Sequence, residues 1–361
     1  MKVLLVSGGT GGHVFPALSA GYEFFQQNDC EIILLLDQRG RRFYDSRYSD
    51  MFRACYVLCD IQMRMHKFIL LFLSMFVALK SLYVILRHRP NVVIGFGGIC
   101  TIIPLVCCRI LNSMRLCRIK IIAHEQNAVL GSANRFLRKH VDLLASHYPL
   151  AESDVYVRIP RRQDSFFSEK CCVVSDNALY QKNNHADAVT IVVLGGSQGA
   201  DVFDDALPQA LAMLSEDERK RLFIYQQTHH HKALGDVYNS LKVQHCLQDF
   251  FADAIDVMVA SDIIICRAGA SSLAEVMSLG KACIVVPYPH ASDDHQERNA
   301  QFFAERDAVL YVSQTVAQYV ELLSQHIRFF MDERNRESYA QQMRCALDDI
   351  DYVKFSDLCV S

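Results

Sequence analysis

Residues 1–13, MKVLLVSGGTGGH, and residues 190–200, TIVVLGGSQGA, are the two stretches that decide the fold. Each is a short apolar run that stops at a glycine-rich turn, and a segment with a helical pattern follows each turn. This order of strand, glycine turn and helix suits nucleotide binding, because glycine lets backbone N–H groups approach an anion or a sugar hydroxyl. Its repetition predicts two similarly built halves.

The length of 361 residues agrees with two domains. We therefore predict an α/β fold of two Rossmann-like, doubly wound parallel-sheet domains that face a cleft, with ligands at the carboxyl ends of the strands. The boundary is expected near Pro160. This gives an N-terminal domain at residues 1–158 and a C-terminal domain at residues 159–361, whose last helix is expected to pack back on the N-terminal domain.

Composition and charge exclude several classes of protein. A net charge of −3 and a pI near 6.5 leave no basic footprint for nucleic acid. The 14 cysteines include no CxxC pair, which favours free thiols in a reducing cytosol over a disulfide framework. The opening residues show no export signal, so we expect the protein to remain in the cytoplasm.

The glycine spacing argues against two common nucleotide motifs. Asp37 follows a second apolar run and suits the acid of a dinucleotide fold, but the first turn reads GGxGG instead of GxGxxG. An NAD-dependent oxidoreductase is therefore the least favoured of the enzymes considered. The pair Gly280-Lys281 continues with alanine, so it does not make a P-loop.

Polar residues follow several other predicted strands. Gly97-Gly98 ends one strand and residues 124–127, HEQN, end another. In the second half, a strand at residues 262–266 leads into RAGASS and a helix that carries Glu275. Serines at this helix start suit a diphosphate, and the carboxylate one turn later suits a ribose diol. The alternative is that Ser272 and Glu275 form only an N-terminal capping box.

Several strings, in this order and spacing, together resemble the MurG family: GGTGGHVFPALS, GFGG, HEQNAVLGSANRFL, VLGGSQGA and CRAGASSLAEVMSLGKACIVVPYPHASDDHQERNA. The resemblance covers residues 1 to about 320. It implies the two-Rossmann glycosyltransferase type B fold. It also implies transfer of N-acetylglucosamine from UDP-N-acetylglucosamine to lipid I, which gives lipid II for peptidoglycan.

The resemblance also implies roles for individual residues. Thr10, Gly11 and Gly12 would meet the donor sugar and diphosphate, with Asn127 nearby. In the second half, Arg162 and Ser197 would contact polar groups of the nucleotide. The backbone at Phe251 would recognise uracil, and Gln296 would contact the N-acetylglucosamine hydroxyls. The phosphate and ribose would be held by Ala270, Ser271, Ser272, Leu273, Ala274 and Glu275.

Inverting transfer needs a base to take the proton of the attacking 4-hydroxyl. His13 closes the first glycine turn, and a neutral imidazole is a competent acceptor near neutral pH. Glu125 is the second candidate, and for both residues a purely structural role is the alternative. The helix start at Ser271 and Arg162 would stabilise the departing UDP, so no metal or other cofactor is expected.

Two metal-like patterns are read as structural. The only DxD, Asp349-Ile350-Asp351, is predicted to lie on a C-terminal helix. His229, His230 and His231 are predicted to form a loop, because consecutive side chains diverge and cannot easily share one ion.

Residues 63–87, MRMHKFILLFLSMFVALKSLYVILR, combine an apolar run with basic flanks. The run is too short for a spanning helix and suits either a helix packed on the sheet or an interfacial helix. Since the implied acceptor is an undecaprenyl lipid, we expect a peripheral protein on the cytoplasmic face of the cell membrane.

Two places depart from the family pattern. Ile99-Cys100-Thr101-Ile102-Ile103 replaces an aromatic and a small polar turn, and Arg158-Ile159 replaces Gly-Asn ahead of a proline. They leave open a non-catalytic, membrane-associated partner that binds UDP-sugar as an alternative to the lipid I transferase. A UDP-N-acetylglucosamine 2-epimerase is a second alternative, because it shares the fold and the nucleotide chemistry.

Overall fold

The computed structural model describes residues 1–27, 29–60, 66–159, 188–195, 201–249, 251 and 254–359. The chain divides into two compact units. The first is Met1–Phe166 with Ile350–Ser361, and the second is Phe167–Asp349. The domain boundary predicted at residues 158 and 159 adjoins residues 160–187, which lie outside the described ranges, and it stays a prediction.

The first unit contains a parallel sheet of eight strands in the order β14-β7-β6-β5-β4-β1-β2-β3. Its strands are β1 (Lys2–Ser7), β2 (Glu31–Asp37), β3 (Ala54–Leu58), β4 (Val92–Gly95), β5 (Lys120–Glu125), β6 (Leu143–Ser146), β7 (Val155–Val157) and β14 (Tyr352–Val353). Its helices are α1 (Gly11–Phe25), α2 (Gln38–Arg41), α3 (Lys67–His88), α4 (Ile99–Ser113) and α5 (Ser132–Leu137).

The central positions of β1, β2 and β4 are apolar on both sides of the strand because both faces of the sheet are covered. In β1, Val3 and Leu5 belong to one hydrophobic cluster, whereas Leu4 and Val6 belong to another. Successive side chains of a strand point to opposite faces, so an unbroken apolar run is the pattern of a parallel sheet between two helical layers.

The second unit contains a parallel sheet of six strands in the order β10-β9-β8-β11-β12-β13. Its strands are β8 (Val189–Leu194), β9 (Leu222–Gln227), β10 (Gln244–Gln248), β11 (Ile263–Cys266), β12 (Ala282–Val285) and β13 (Leu310–Tyr311). Its helices are α6 (Val202–Ala212), α7 (Glu216–Lys220), α8 (His231–Ser240), α9 (Ala254–Ala260), α10 (Ala270–Leu279), α11 (His295–Ala304), α12 (Tyr319–Phe330) and α13 (Glu333–Cys345).

The strand order reverses once in each sheet, at β1 and at β8, and the first glycine turn follows β1 directly. In the first sheet β1 pairs with both β2 and β4. In the second sheet β8 pairs with both β9 and β11. Ligands of doubly wound sheets bind at such switch points, outside the carboxyl ends of the strands. The prediction of two doubly wound parallel-sheet units is confirmed.

The C-terminal segment returns to the first unit. Its strand β14 pairs in parallel with β7, and a 3-10 helix at Asp357–Cys359 follows. Phe355 is fully buried, and its ring lies 5.5 Å from that of Phe96 and 5.0 Å from that of His124. The returning element is therefore a strand with a short 3-10 helix, whereas the last long helix, α13, belongs to the second unit.

Helix α3 has two halves with different surroundings. In the second half, Val77, Ser81, Val84 and Ile85 are buried, and the helix packs on α4. The first half leaves Phe68 77% and Leu71 70% exposed. Among the described residues, α3 is the one helix long and apolar enough to cross a membrane, judged by length and composition.

Candidate active site

A buried carboxylate at the end of β2 is hydrogen-bonded to the first glycine turn. Asp37 Oδ1 accepts hydrogen bonds from the N–H groups of Gly9, at 2.8 Å, and Gly40, at 2.7 Å. A Cβ atom on Gly8 would lie 2.5 Å from Asp37 Cγ, so only glycine allows this close approach. Asp37 thus shapes the turn, a role that the sequence analysis did not assign to it.

Thr10, Gly11 and Gly12 lie at the start of α1, with Thr10 as the N-cap in an extended conformation. Gly9 adopts φ +84°, a conformation that favours glycine. The first N–H groups of a helix have no partner within the helix, and they converge with the positive end of its dipole. The start of α1 presents the positive end of this dipole, and the donor contacts predicted for Thr10, Gly11 and Gly12 stay predictions.

His13 packs against the second glycine pair of the same unit. Gly97 and Gly98 have φ of +76° and +79°. A Cβ atom on Gly97 would lie 3.1 Å from both Nδ1 and Cε1 of the His13 ring. The imidazole therefore rests on backbone that carries no side chain. Its Nδ1 lies 3.1 Å from Oε1 of Gln126, across 113 residues of sequence.

Glu125 is buried and surrounded by hydrogen-bond donors. Its carboxylate accepts from the backbone N–H groups of Gln126, Asn127 and Gly131 and from the side-chain amides of Asn127 and Asn134. The side chain is 2% exposed. This environment favours the structural role considered for Glu125, because a carboxylate that already accepts so many bonds is poorly placed to take a proton from a substrate.

The second unit presents the start of α10 at the end of β11. Gly269 is the N-cap, and the helix begins at Ala270. Ser272 is therefore the third helical residue, so the alternative considered for it, a capping box with Ser272 as N-cap, is not formed. Ser271, Ser272 and Glu275 are half-buried. Ala270, Leu273 and Ala274 are buried in the core, so the contacts predicted for them could be made only through their backbone.

Two side chains that the sequence analysis passed over hold the turn before α10. Asn299 is fully buried, and its amide donates to the Ala268 carbonyl at 3.0 Å. The Arg267 guanidinium donates to the carbonyls of Val286 and Pro287. Burial lowers the pKa of Arg267. Both lie in the long string that carried the family resemblance, yet nothing in their spacing distinguishes them as turn-fixing residues.

Of the remaining predicted donor-site residues, the structure describes Gln296, Phe251 and Asn127. Gln296 lies on the first turn of α11, where its Oε1 accepts from the Tyr288 N–H at 3.0 Å. Phe251 is buried with its ring 6.4 Å from that of Tyr225. Arg162 and Ser197 lie outside the described residues. Asn127 lies in the first unit, where its amide donates to Glu125.

The two metal-like patterns differ from their predicted structures. Asp349 to Asp351 follows the end of α13 at Cys345 as a turn, so the predicted helix there is wrong. His231 begins α8, so the predicted loop is wrong at this residue. The side chains of His229 and His231 converge on Oδ1 of Asp249, at 2.8 and 3.3 Å. Residues at i and i+2 meet there because the helix start turns the chain.

Within the described ranges, Asp201, Asp204 and His230 are close enough together to hold a metal ion. The Asp204 carboxylate already accepts hydrogen bonds from Gln226 Nε2 at 2.7 Å and Thr228 Oγ1 at 2.6 Å. These bonds account for the position of Asp204 without an ion.

Comparisons with known proteins agree with this architecture. The N-terminal domain of glycosyltransferase family 28 matches residues 3–145, and its C-terminal domain matches residues 190–355. A solved structure described as Acinetobacter baumannii MurG aligns with 99% of this chain and 97% of its own, at a TM-score of 0.71 and 24% identity. A Streptomyces sp. SF2575 glycosyltransferase complexed with thymidine diphosphate aligns at a TM-score of 0.62 and 12% identity, covering 98% of this chain and 97% of its own. These structural likenesses confirm the fold.

Relatives of higher identity share one name, UDP-N-acetylglucosamine–N-acetylmuramyl-(pentapeptide) pyrophosphoryl-undecaprenol N-acetylglucosamine transferase. One from Allorhizobium ampelinum is 32% identical over 323 residues, which are 87% of this chain and 82% of the relative. One from Rhodospirillum centenum is 33% identical over 308 residues, which are 84% of this chain and 79% of the relative. Together with the match of both halves to glycosyltransferase family 28, they show that this chain belongs to the family of these N-acetylglucosamine transferases, the MurG family.

Proposed function

We propose that this chain transfers N-acetylglucosamine from UDP-N-acetylglucosamine to the 4-hydroxyl of the muramoyl sugar of lipid I and so makes lipid II. The observation that carries the proposal is the extent of similarity to relatives whose name states these substrates. The switch points of the two sheets, at β1 and β8, support it, since nucleotide ligands bind doubly wound sheets there.

The second unit would hold the donor. The start of α10 would receive the diphosphate on its N–H groups, where the helix dipole favours negative charge. Glu275, one turn into α10, would accept hydrogen bonds from the ribose hydroxyls, and Gln296 would contact the sugar. Arg162, Ser197 and the backbone at Phe251 complete the proposed donor site. The helix dipole also stabilises the UDP that leaves, and the proposed reaction uses no metal.

The first unit would supply the base. In the proposed reaction, the 4-hydroxyl oxygen attacks C1 of the α-linked sugar while the bond from C1 to the β-phosphate oxygen breaks. The electron pair of that bond leaves with UDP, and the hydroxyl proton passes to His13. Thr10, Gly11 and Gly12 approach the donor through their backbone, and Asn127 lies nearby.

The acceptor lies in a membrane, and α3 with its neighbours would provide the surface that binds this membrane. Exposed apolar residues occur on α3, on α4 and the segment after it, and on α5, and α4 packs on both α3 and α5. These residues include Phe68, Leu71, Phe72, Met75, Leu79, Ile110, Met114, Leu116 and Phe136. The same segments and the residues that follow them carry exposed cations, including Lys67, Arg87, Arg115, Arg118, Arg135 and Lys139. Exposed apolar side chains together with exposed cations suit binding to an anionic bilayer surface.

The packing of α3 favours interfacial insertion over a transmembrane span. A span needs roughly 20 residues in hydrocarbon. The second half of α3 is packed on α4 and the sheet, so it cannot enter the bilayer while the first unit keeps its fold. We propose that the first half inserts, which places the protein peripherally on the cytoplasmic face of the membrane.

A transfer assay tests the proposed function. Labelled N-acetylglucosamine is followed from UDP-N-acetylglucosamine to a short-chain lipid I analogue, with and without EDTA. We expect Glu275→Ala to raise the KM for the donor by roughly 10- to 100-fold, as for a lost hydrogen bond to a charged group. His13→Ala should lower kcat by roughly 10²- to 10⁴-fold, as for a lost general base. EDTA should leave the rate unchanged.

A matched control and a product test make the assay decisive. Glu321→Ala removes an exposed carboxylate from α12 of the same unit, and it should leave both constants unchanged. Donor binding without transfer would refute the acceptor assignment. Formation of N-acetylmannosamine from the donor would then identify the 2-epimerase, and its absence would identify a non-catalytic UDP-sugar-binding protein.

A further inference from the structure

A chain of hydrogen bonds runs from a main-chain carbonyl to the His13 ring. His124 Nε2 lies 3.1 Å from the Val157 carbonyl oxygen. Gln126 Nε2 lies 3.0 Å from both His124 Nδ1 and the His124 carbonyl oxygen. Gln126 Oε1 lies 3.1 Å from His13 Nδ1. Each link has a donor and an acceptor, and fixing one link fixes the next.

The first link fixes the tautomer of His124. A carbonyl oxygen only accepts, so His124 Nε2 must carry a hydrogen. His124 is fully buried beside Phe96 and Phe355, and burial lowers its pKa to about 4. The ring is therefore neutral near pH 7, and its Nδ1 holds a lone pair that accepts a hydrogen bond.

The second link fixes the orientation of the Gln126 amide. The group that faces the His124 carbonyl and the His124 Nδ1 lone pair must donate to both, so it is the NH₂ group. Gln126 is itself fully buried. Its carbonyl oxygen must then point toward His13.

From this chain we infer that Gln126 is a positioning residue that sets the tautomer of His13. Gln126 Oε1 accepts from Nδ1–H of His13, so the lone pair of the neutral ring is on Nε2. This inference deepens the proposed function, because it rests on His13 as the base. The Nδ1–H bond to Gln126 is kept after Nε2 takes the proton, so the same contact serves the imidazole and the imidazolium.

The packing around His13 holds its ring in the position where Nδ1 can bind Gln126 Oε1. A Cβ atom on Gly97 would approach His13 Nδ1 and Cε1 at 3.1 Å and Gln126 Oε1 at 3.5 Å. Both partners of the His13 to Gln126 bond therefore lie on the same stretch of side-chain-free backbone. In Ser-His-Asp enzymes a buried carboxylate orients the histidine. Here a neutral amide does so and adds no charge beside the ring.

Nitrogen NMR of ¹⁵N-histidine-labelled protein tests the inference directly. Protonated and unprotonated ring nitrogens have well-separated ¹⁵N shifts, and the His13 signals among the 14 histidines are assigned by their loss in His13→Ala. We expect wild-type His13 to be the Nδ1–H tautomer near pH 7. We expect Gln126→Leu, which keeps side-chain bulk and removes the acceptor, to shift His13 toward Nε2–H.

Kinetics with a matched control complete the test. Gln126→Leu should lower kcat by roughly 10- to 100-fold, a part of the effect of a general base, with the KM for UDP-N-acetylglucosamine unchanged. Gln226→Leu removes an equally buried glutamine from the second unit and should leave the His13 spectrum unchanged.

The outcomes separate this inference from the proposed function. A wild-type His13 in the Nε2–H form, or a Gln126→Leu spectrum equal to wild type, would overturn the positioning role without any recourse to activity. Full turnover in His13→Ala would instead overturn the proposed base, whatever the spectra show.

Discussion

The carboxylate of Glu125 illustrates how burial and hydrogen bonding decide between two roles for one side chain. Three backbone N–H groups and two side-chain amides donate to it. These bonds tie the end of β5 to the loop that leads into α5. A carboxylate suits this position because it offers only acceptors.

We expect Glu125→Gln to destabilise the first unit more than it slows the chemistry. The new amide would direct an N–H group at donors, which costs roughly 1–3 kcal/mol for each group left unsatisfied. Urea unfolding should therefore show a lower midpoint. The kcat of the folded variant should stay within roughly tenfold of wild type, far from the loss expected for a general base.

Urea unfolding and kcat of Glu125→Gln also test whether Glu125 is the base instead. Unchanged unfolding together with a loss of kcat by orders of magnitude would make Glu125 a base and would remove His13 from that role. Asn134→Ala provides a control, because it removes one donor to the carboxylate while keeping the carboxylate.

At the scale of elements, α3 combines a packed half with an exposed half. Its first turns present large apolar side chains to solvent, whereas its later turns bury Val77, Val84 and Ile85. Contiguous exposed apolar patches on a protein surface mark sites that contact another protein or a membrane.

We expect Phe68→Ser combined with Phe72→Ser to weaken binding to vesicles that contain phosphatidylglycerol. Burial of a phenylalanine side chain is worth about 1.5–3 kcal/mol, so loss of two should weaken binding by at least roughly 100-fold. Because both residues are exposed, the urea midpoint should not change. Vesicle co-sedimentation measures the binding. Phe329→Ser on α12, an exposed phenylalanine of the second unit, is the control, and equal binding by all three proteins would refute insertion of α3.

Strands with a long apolar run could be predicted from the sequence, and short edge strands could not. The strands β1, β2, β4, β8 and β11 each contain a continuous apolar run, because both sheet faces are covered. By contrast, β14 has two residues and pairs with β7 across almost two hundred positions. Its sequence contains no periodic pattern, since its place is set by long-range pairing.

The candidate site shows the same division. His13 and the glycine turns could be predicted because their spacing relative to strand ends carries the signal. Gln126 could not be assigned a role, because its contact with His13 spans 113 residues. The capping-box alternative for Ser272 could not be decided from the sequence, because an SxxE pattern looks the same whether its serine is the N-cap or the third helical residue.

At the scale of the whole molecule, two buried histidines make the first unit sensitive to acid. Burial lowers the pKa of His124 to about 4 and that of His147 to about 3. Both values lie below the ordinary value near 6.5. Between roughly pH 6.5 and 4, the unfolded chain binds protons that the folded unit does not, so stability falls as the pH falls.

We expect His147→Asn to reduce this loss by up to about 1.4 kcal/mol for each pH unit in that window. Asparagine retains an acceptor for the Ile159 N–H that His147 Nδ1 binds in the wild type. Urea midpoints from pH 7 to 4.5 measure the slope. An equal slope in both proteins would show that His147 is protonated to the same extent in the folded and unfolded states. His229→Asn is the control, because His229 is largely exposed.

The return of residues 350–361 to the first unit has a consequence for biosynthesis. The ribosome completes every residue of the second unit before it releases Phe355, which covers His124 at the base of the hydrogen-bond chain to His13. A nascent polypeptide therefore carries an unfinished first unit throughout most of translation. His13, the proposed base, therefore gains the support of this hydrogen-bond chain only after translation has passed β14.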